Sequence, residues 1–235
     1  MTENIAGLFA AGTAADPTRP LLTWYDDASG DRTELSGATL ANWVAKTANL
    51  LVDAAGVAPA DPVGVLLPPH WQTAAVLLGC WSTGAAVSGA RPDGSAPGPV
   101  DVLFAAVDRI GESAAWPAGE QYALALAPLA APARDLPPGW ADYVTEVRGH
   151  GDHFTPYPAA GPQDPVLVDL AIQRATELGI DAGDRVLVDA ARHPDPVDWL
   201  LAPLAAGAST VLCGNLDPAR LDDRAAAEKV TVRLT

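Results

Sequence analysis

The strongest constraint on this chain is that it matches itself. Shifted by 123 residues, Gly56–Ala85 lies on Gly179–Ala208 without a gap. Gly56 falls on Gly179, Asp61 on Asp184, and Val63 and Val65 on Val186 and Val188. Leu77 and Leu78 fall on Leu200 and Leu201, and Gly84-Ala85 on Gly207-Ala208. Each stretch reads as a helix end, a glycine turn, a short apolar strand, a helix, a second glycine turn and a further strand. Helices between short apolar strands call for parallel pairing with right-handed crossovers. Two αβα units in an Ala-rich chain can look alike by chance, but the gap-free agreement of glycines, aspartates and strand valines argues for an internal repeat. The fold class is therefore α/β, with two similar αβ subdomains whose largely parallel sheets are flanked by helices.

Around the repeat, local patterns fill in the rest. Ile5, Leu8 and Phe9 have the spacing of a short amphipathic helix. Leu21–Tyr25 and Arg32–Leu35, joined by a turn over Asp26–Asp31, predict a hairpin. Ser36 caps a helix whose apolar face is Leu40, Trp43, Val44, Thr47, Leu50, Leu51 and Ala54, ending near Gly56. Val63–Leu67 is a strand of the kind buried on both faces of a parallel sheet. Trp71–Thr83, apolar nearly all round, is a helix sunk against it, and Ala86–Ser88 is the next strand. Residues 91–140 hold many of the 22 prolines, with strands at Val102–Ala105 and Tyr122–Leu126. Residues 148–165 are rich in Gly and Pro and read as a linker. The expected domains are 1–147, with the N-terminal helix and hairpin, and a shorter second subdomain over 166–235. The second holds helices over Leu167–Leu178, Val197–Ala206 and Leu221–Glu228, and strands at Val186–Val188, Thr210–Leu212 and Val230–Leu234.

Charge and composition exclude several functions. The net charge of −15 repels nucleic acid and anionic membrane surfaces, which both need clustered Lys and Arg. Lys46 and Lys229 are the sole lysines. Cys80 and Cys213 lack metal-ligand spacing and read as buried thiols in a reducing compartment. No apolar run approaches the ~18 residues of a membrane span, and the N-terminus lacks the basic start of a signal peptide. A cytoplasmic location without membrane contact is expected. The loop His150-Gly151-Asp152-His153 reads as solvated rather than metal-binding, so no metal is expected. There is no GxSxG elbow, no GxGxxG after a strand and no Walker loop.

Several segments resemble the adenylate-forming superfamily, which includes the AMP-forming acyl-CoA synthetases. Glu34-Leu35-Ser36-Gly37-Ala38-Thr39-Leu40 is similar to its LSYAEL helix start, with Thr39 where Glu is usual, which leaves the capping box incomplete. Gly56–Pro68 (GVAPADPVGVLLP) resembles GVxxGDRVGVLLPN, and Leu77–Pro92 (LLGCWSTGAAVSGARP) resembles LLGxLKAGAAVVPLDP. Leu178–Leu212 is similar to the segment that follows the family's phosphate loop. The resemblance covers roughly residues 20–92 and 165–235 and implies two similar α/β subdomains.

The departures bear on function. The family's Thr/Ser/Gly-rich phosphate loop, ending in Lys-Gly, belongs between the two subdomains and cradles ATP phosphates. Here that interval is 148–165, with no such run and no lysine. The family's Thr-Glu motif, ribose-binding Asp and C-terminal domain with a second lysine have no counterpart in this sequence, so the resemblance implies a truncated member. No catalytic residue and no cofactor are carried over. The leading expectation is a non-catalytic remnant that binds a small acyl or aromatic carboxylic acid or a partner protein. The alternatives are an acyl-CoA synthetase-like ligase completed by another chain, and a structural domain that forms homodimers. The candidate cleft residues are Trp71 and His193, which follow the equivalent strands of the two stretches. The bland readings are a core tryptophan and a surface-loop histidine beside Pro194.

Overall fold

The structure, a computed structural model, describes residues 4–14, 16–89, 98–157 and 163–235. In chain order the elements are α1 (Ile5–Ala14), β1 (Pro20–Asp26), β2 (Asp31–Ser36), α2 (Gly37–Asn49), β3 (Pro62–Leu66), α3 (Trp71–Ser82) and β4 (Ala86–Ser88). There follow β5 (Val100–Ala106), β6 (Ala118–Leu124), β7 (Ala141–Asp142), α4 (Tyr143–Arg148) and α5 (Asp164–Glu177). The last are β8 (Arg185–Asp189), α6 (Ala202–Ala206), β9 (Ser209–Gly214), α7 (Leu221–Ala227) and β10 (Val232–Leu234). Wide helical turns over Leu50–Ala54 and Val197–Leu201 extend α2 and precede α6.

One boundary falls inside the linker expected over 148–165, between Gln163 and Asp164, but the two sides are not the expected 1–147 and 166–235. Met1–Leu40, Pro69–Ala74 and Asp164–Thr235 form one unit, and Ala41–Pro68 with Ala75–Gln163 forms the other. Strand pairing is the reason. β1 runs parallel to β9, with Leu22 opposite Thr210 and Trp24 opposite Leu212, so the N-terminal hairpin completes the sheet of the distal segment. Non-local pairing of this kind leaves no local signal.

The first unit's sheet has the order β10-β8-β9-β1-β2, parallel except for the β1–β2 hairpin. One face carries Leu187, Val211 and Cys213 under Ala225 of α7, flanked by Tyr25, Leu216, Leu221 and Val230. α1 buries the three residues that its spacing singled out, Ile5, Leu8 and Phe9. The second unit's sheet has the order β4-β3-β5-β6-β7 and is parallel throughout. Its Leu66, Val100, Leu103 and Ala105 pack with the fully buried Trp116. Gly64 is required there, since a Cβ would lie 2.9 Å from both Leu103 and Trp116.

The turns of the two self-matching stretches share several hydrogen bonds at equivalent positions. β3 pairs with β4 at Pro62↔Ala86 and Val63↔Val87, and β8 with β9 at Arg185↔Ser209 and Val186↔Thr210. The amides of Ala58 and Asp181 donate to Asp61 and Asp184 at 2.8 and 2.7 Å. Ala60 N–H donates to the Gly84 carbonyl, and Gly183 N–H to that of Gly207. Ala85 N–H reaches the Cys80 carbonyl, and Ala208 N–H that of Pro203. Gly84 and Gly207 have φ of 72° and 73°, the left-handed conformation that ends a helix without Cβ strain.

The stretch expected to be a linker is partly structured. α4 ends at its start, N-capped by Asp142, whose carboxylate accepts the Thr145 amide at 2.7 Å. Lys46 of α2 then donates to the His150 carbonyl. Asn49 donates to the carbonyls of Gly151 and His153 at 2.9 and 3.0 Å, pinning the loop through its backbone. Residues 158–162 of the stretch lie outside the described residues.

Candidate functional site

In open parallel sheets the carboxyl ends of the strands, where loops leave for the next helix, are where ligands gather. In the first unit these ends are Leu234 of β10, Asp189 of β8, Gly214 of β9 and Asp26 of β1. At β8 the chain folds back on itself: the Asp189 carbonyl accepts the amides of Arg192 and His193 at 3.2 and 3.0 Å. Pro194 and Pro196 delay the following helix, and Asp195 accepts the Val197 amide at 2.8 Å to start it. This places Asp198 one turn from His193. The His193 Nδ1 lies 2.8 Å from Asp198 Oδ2, while Arg174 of α5 donates through Nε to Asp198 Oδ1 at 2.7 Å. Burial pushes the Asp198 carboxyl up, but Arg174 and His193 outweigh it and hold the carboxyl below its ordinary range. An ionised Asp198 keeps a proton on Nδ1 and so directs the other ring nitrogen, Nε2, to any external partner. The His193 side chain retains 20% exposure.

At β9 and β1 the rim is acidic. Gly214 lets the Trp24 ring lie across the strand end, where a Cβ would stand 2.4 Å from it. Asn215 donates to Asp26 at 2.7 Å. The buried Arg224 is paired with Asp27 at 2.5 Å and lies over the Tyr25 ring at 4.3 Å. Arg220 is shared between Asp27 and Asp217. Arg174 is taken by Asp198 and Glu177, and the exposed Arg192 sits 3.9 Å from Asp189. Each of these four arginines is thus committed to a carboxylate.

Comparisons with known proteins agree with the architecture. The profile of the AMP-binding enzyme family matches residues 9–103. A TIGR03089 family protein of Mycobacterium tuberculosis is 49% identical over 230 residues, covering 92% of this chain and 92% of the relative. The chain belongs to the adenylate-forming superfamily. Among solved structures, an acyl-CoA synthetase of Brucella canis superposes with a TM-score of 0.73 at 19% identity, over 96% of this chain and 46% of that one. The N-terminal domain of FACL13 from M. tuberculosis gives 0.71 at 15% identity, over 99% and 62%. At such identities the likeness shows the fold, and this chain spans about half to three-fifths of those structures.

The structure places both lysines of the chain. Lys46 is held by the His150 carbonyl, and Lys229 is an exposed residue that follows α7. His150 and His153 belong to the loop tied to α2, and among the described residues no group of three or more metal-ligating side chains converges. Trp71 opens α3 at 3% exposure, its ring 5.6 Å from that of His70. His193 keeps an accessible edge.

Sequence reasoning missed three residues here. Asp198 and Arg174 complete the His193 arrangement, and the i, i+5 spacing of His193 and Asp198 carries no recognised signature. The third, His70, stands at the position of His193 under the 123-residue shift and was readable from it. His70 is 2% exposed, accepts the Gln72 amide on Nδ1 at 3.1 Å and meets the Trp24 ring edge-on at 4.6 Å. Burial lowers its pKa to about 3 despite the nearby charge of Asp26.

Proposed function

We propose that this chain is a non-catalytic member of the adenylate-forming superfamily that binds a small acyl or aromatic carboxylic acid at the carboxyl rim of its first sheet. The observation that carries the reading is the His193–Asp198–Arg174 arrangement on a rim whose arginines are already paired. A monocarboxylate asks for one well-placed donor, and Nε2 of His193 offers one when both ring nitrogens carry a proton, with Asp198 holding Nδ1. A triphosphate asks for several free cations to neutralise its leaving group. The sequence interval that would hold the phosphate loop has neither the Thr/Ser/Gly-rich run nor a lysine, and the acidic rim disfavours the nucleotide further.

The test is a thermal-shift screen of acyl acids, acyl-CoAs and nucleotides on the full chain, repeated on His193→Ala. A ligand at a hundred times its Kd adds about 2.7 kcal/mol, which raises the melting midpoint of a chain this size by roughly 5–10 °C. Carboxylic acids are expected to shift the wild type and not the variant. A shift that survives in His193→Ala removes His193 from the site. ATP–pyrophosphate exchange with the same acids should stay at background; turnover that follows the protein through repurification overturns the non-catalytic reading.

A further inference from the structure

In a parallel pair, the N–H and C=O of one residue face the same neighbour, and successive residues alternate sides. β4 is three residues long and lies at the edge of the second unit's sheet. Ala86 turns inward, its amide donating to the Asp61 carbonyl at 2.8 Å, so Val87 turns its N–H and C=O outward. Both are taken by one side chain. The Val87 amide donates to Gln163 Oε1 at 3.0 Å, and Gln163 Nε2 donates to the Val87 carbonyl at 2.9 Å. A carboxamide presents a donor and an acceptor side by side, as a strand's peptide group does. In the matching stretch, Thr210 stands at the place of Val87, and there the same outward side faces strand β1 at Leu22.

We infer that Gln163 is an edge seal: its carboxamide occupies the position that a further strand fills beside β9, and keeps the edge of β4 from accepting a strand of another chain. An unsealed edge of this kind invites pairing between molecules. The seal also fixes the point at which the chain leaves the second unit, since Gln163 is that unit's last residue.

Amide hydrogen exchange read by NMR on the full chain tests this, using Gln163→Leu and Gln163→Glu. In Gln163→Leu the Val87 amide should exchange at least about tenfold faster, with the Val63 and Val102 amides of β3 and β5 unchanged. Gln163→Glu keeps an oxygen acceptor at the same reach and should leave Val87 protected. Equal Val87 rates in wild type and Gln163→Leu, or in the two variants, overturn the seal. If Gln163→Leu deprotects the whole sheet, the wild type decides. Its Gln163 Nε2 protons should exchange more slowly than those of a free carboxamide, and exchange at the free rate overturns the proposal.

Discussion

Residues 56–85 and 179–208 build the same turns from the same hydrogen bonds, yet they end in opposite environments. His70 and His193 occupy the same place in the two stretches, just after parallel strands. In the first stretch α3 begins at Trp71 at once, its N-terminus capped by His70, and the imidazole is sealed under Trp24. In the second, Pro194, Asp195 and Pro196 push the start of the helix back to Val197, and the histidine stands in an open loop beside a carboxylate. The strands differ in step. Gly64 yields its place to Trp116, whereas the equivalent Leu187 fills its own space under α7. One arrangement of strand and turn thus carries a closed end and an open end, and three loop residues decide between them.

If the closed end is structural, its largest signature is pH dependence. A histidine with a folded pKa of about 3 and an unfolded value near 6.5 takes up its proton in the unfolded chain first. The unfolded state therefore binds more protons in this window, and stability falls as the pH drops from about 6.5 towards 3, by up to about 1.4 kcal/mol per pH unit. Between pH 6.5 and 5 the wild type should lose about 1.6 kcal/mol relative to His70→Asn, which can still cap the Gln72 amide without titrating. Urea midpoints across that range measure it. Parallel profiles for the two proteins would mean that His70 is not held neutral.

The shared turns predict a smaller and matched effect. Gly84 and Gly207 sit at φ of 72° and 73°, so alanine at either should cost about 1 kcal/mol of backbone strain. Gly207 has open space for a Cβ, while at Gly84 it would touch Pro59 at 3.4 Å, an ordinary contact. Denaturant curves of Gly84→Ala and Gly207→Ala should therefore agree within about 0.5 kcal/mol. A gap much wider than that breaks the equivalence of the two turns.

Much of this was legible in the sequence, and the failures have a common cause. Apolar runs such as Val63–Leu67 and Val186–Val188 announced buried parallel strands, and glycines marked the helix ends because only a residue without Cβ sits easily at positive φ. The grouping of the hairpin with the distal segment was not legible, because Leu22 meets Thr210 only in the folded sheet. Asp198 and Arg174 were missed for the same reason: each is an ordinary helical charge until the fold brings it to His193. Gln163 looked like linker, since its carboxamide does a strand's work without a strand's sequence. Local periodicity reports which elements form, and side chains that join elements distant in sequence stay silent in it.

The finest distinction between the two stretches lies in their aspartates. Asp61 and Asp184 each accept the amide three residues earlier, which orders the turn before the strand. Asp184 has a second duty, since its Oδ1 accepts the Thr231 hydroxyl at 2.7 Å, and Thr231 Oγ1 in turn accepts the Arg185 amide at 2.9 Å. That chain ties the start of β8 to the residue before β10; among the described residues the Asp61 side chain shows only its bond to the Ala58 amide. Asp61→Ala should cost about 0.5–1 kcal/mol for one partly solvated turn bond, and Asp184→Ala about 0.5 kcal/mol more. The excess should vanish in a Thr231→Val background, where Asp184 retains only the duty it shares with Asp61. Urea denaturation of the two single variants, with and without Thr231→Val, reads all the terms. If Asp61→Ala proves the costlier change, or the gap persists without the Thr231 hydroxyl, the extra strength of the second turn comes from somewhere other than this link.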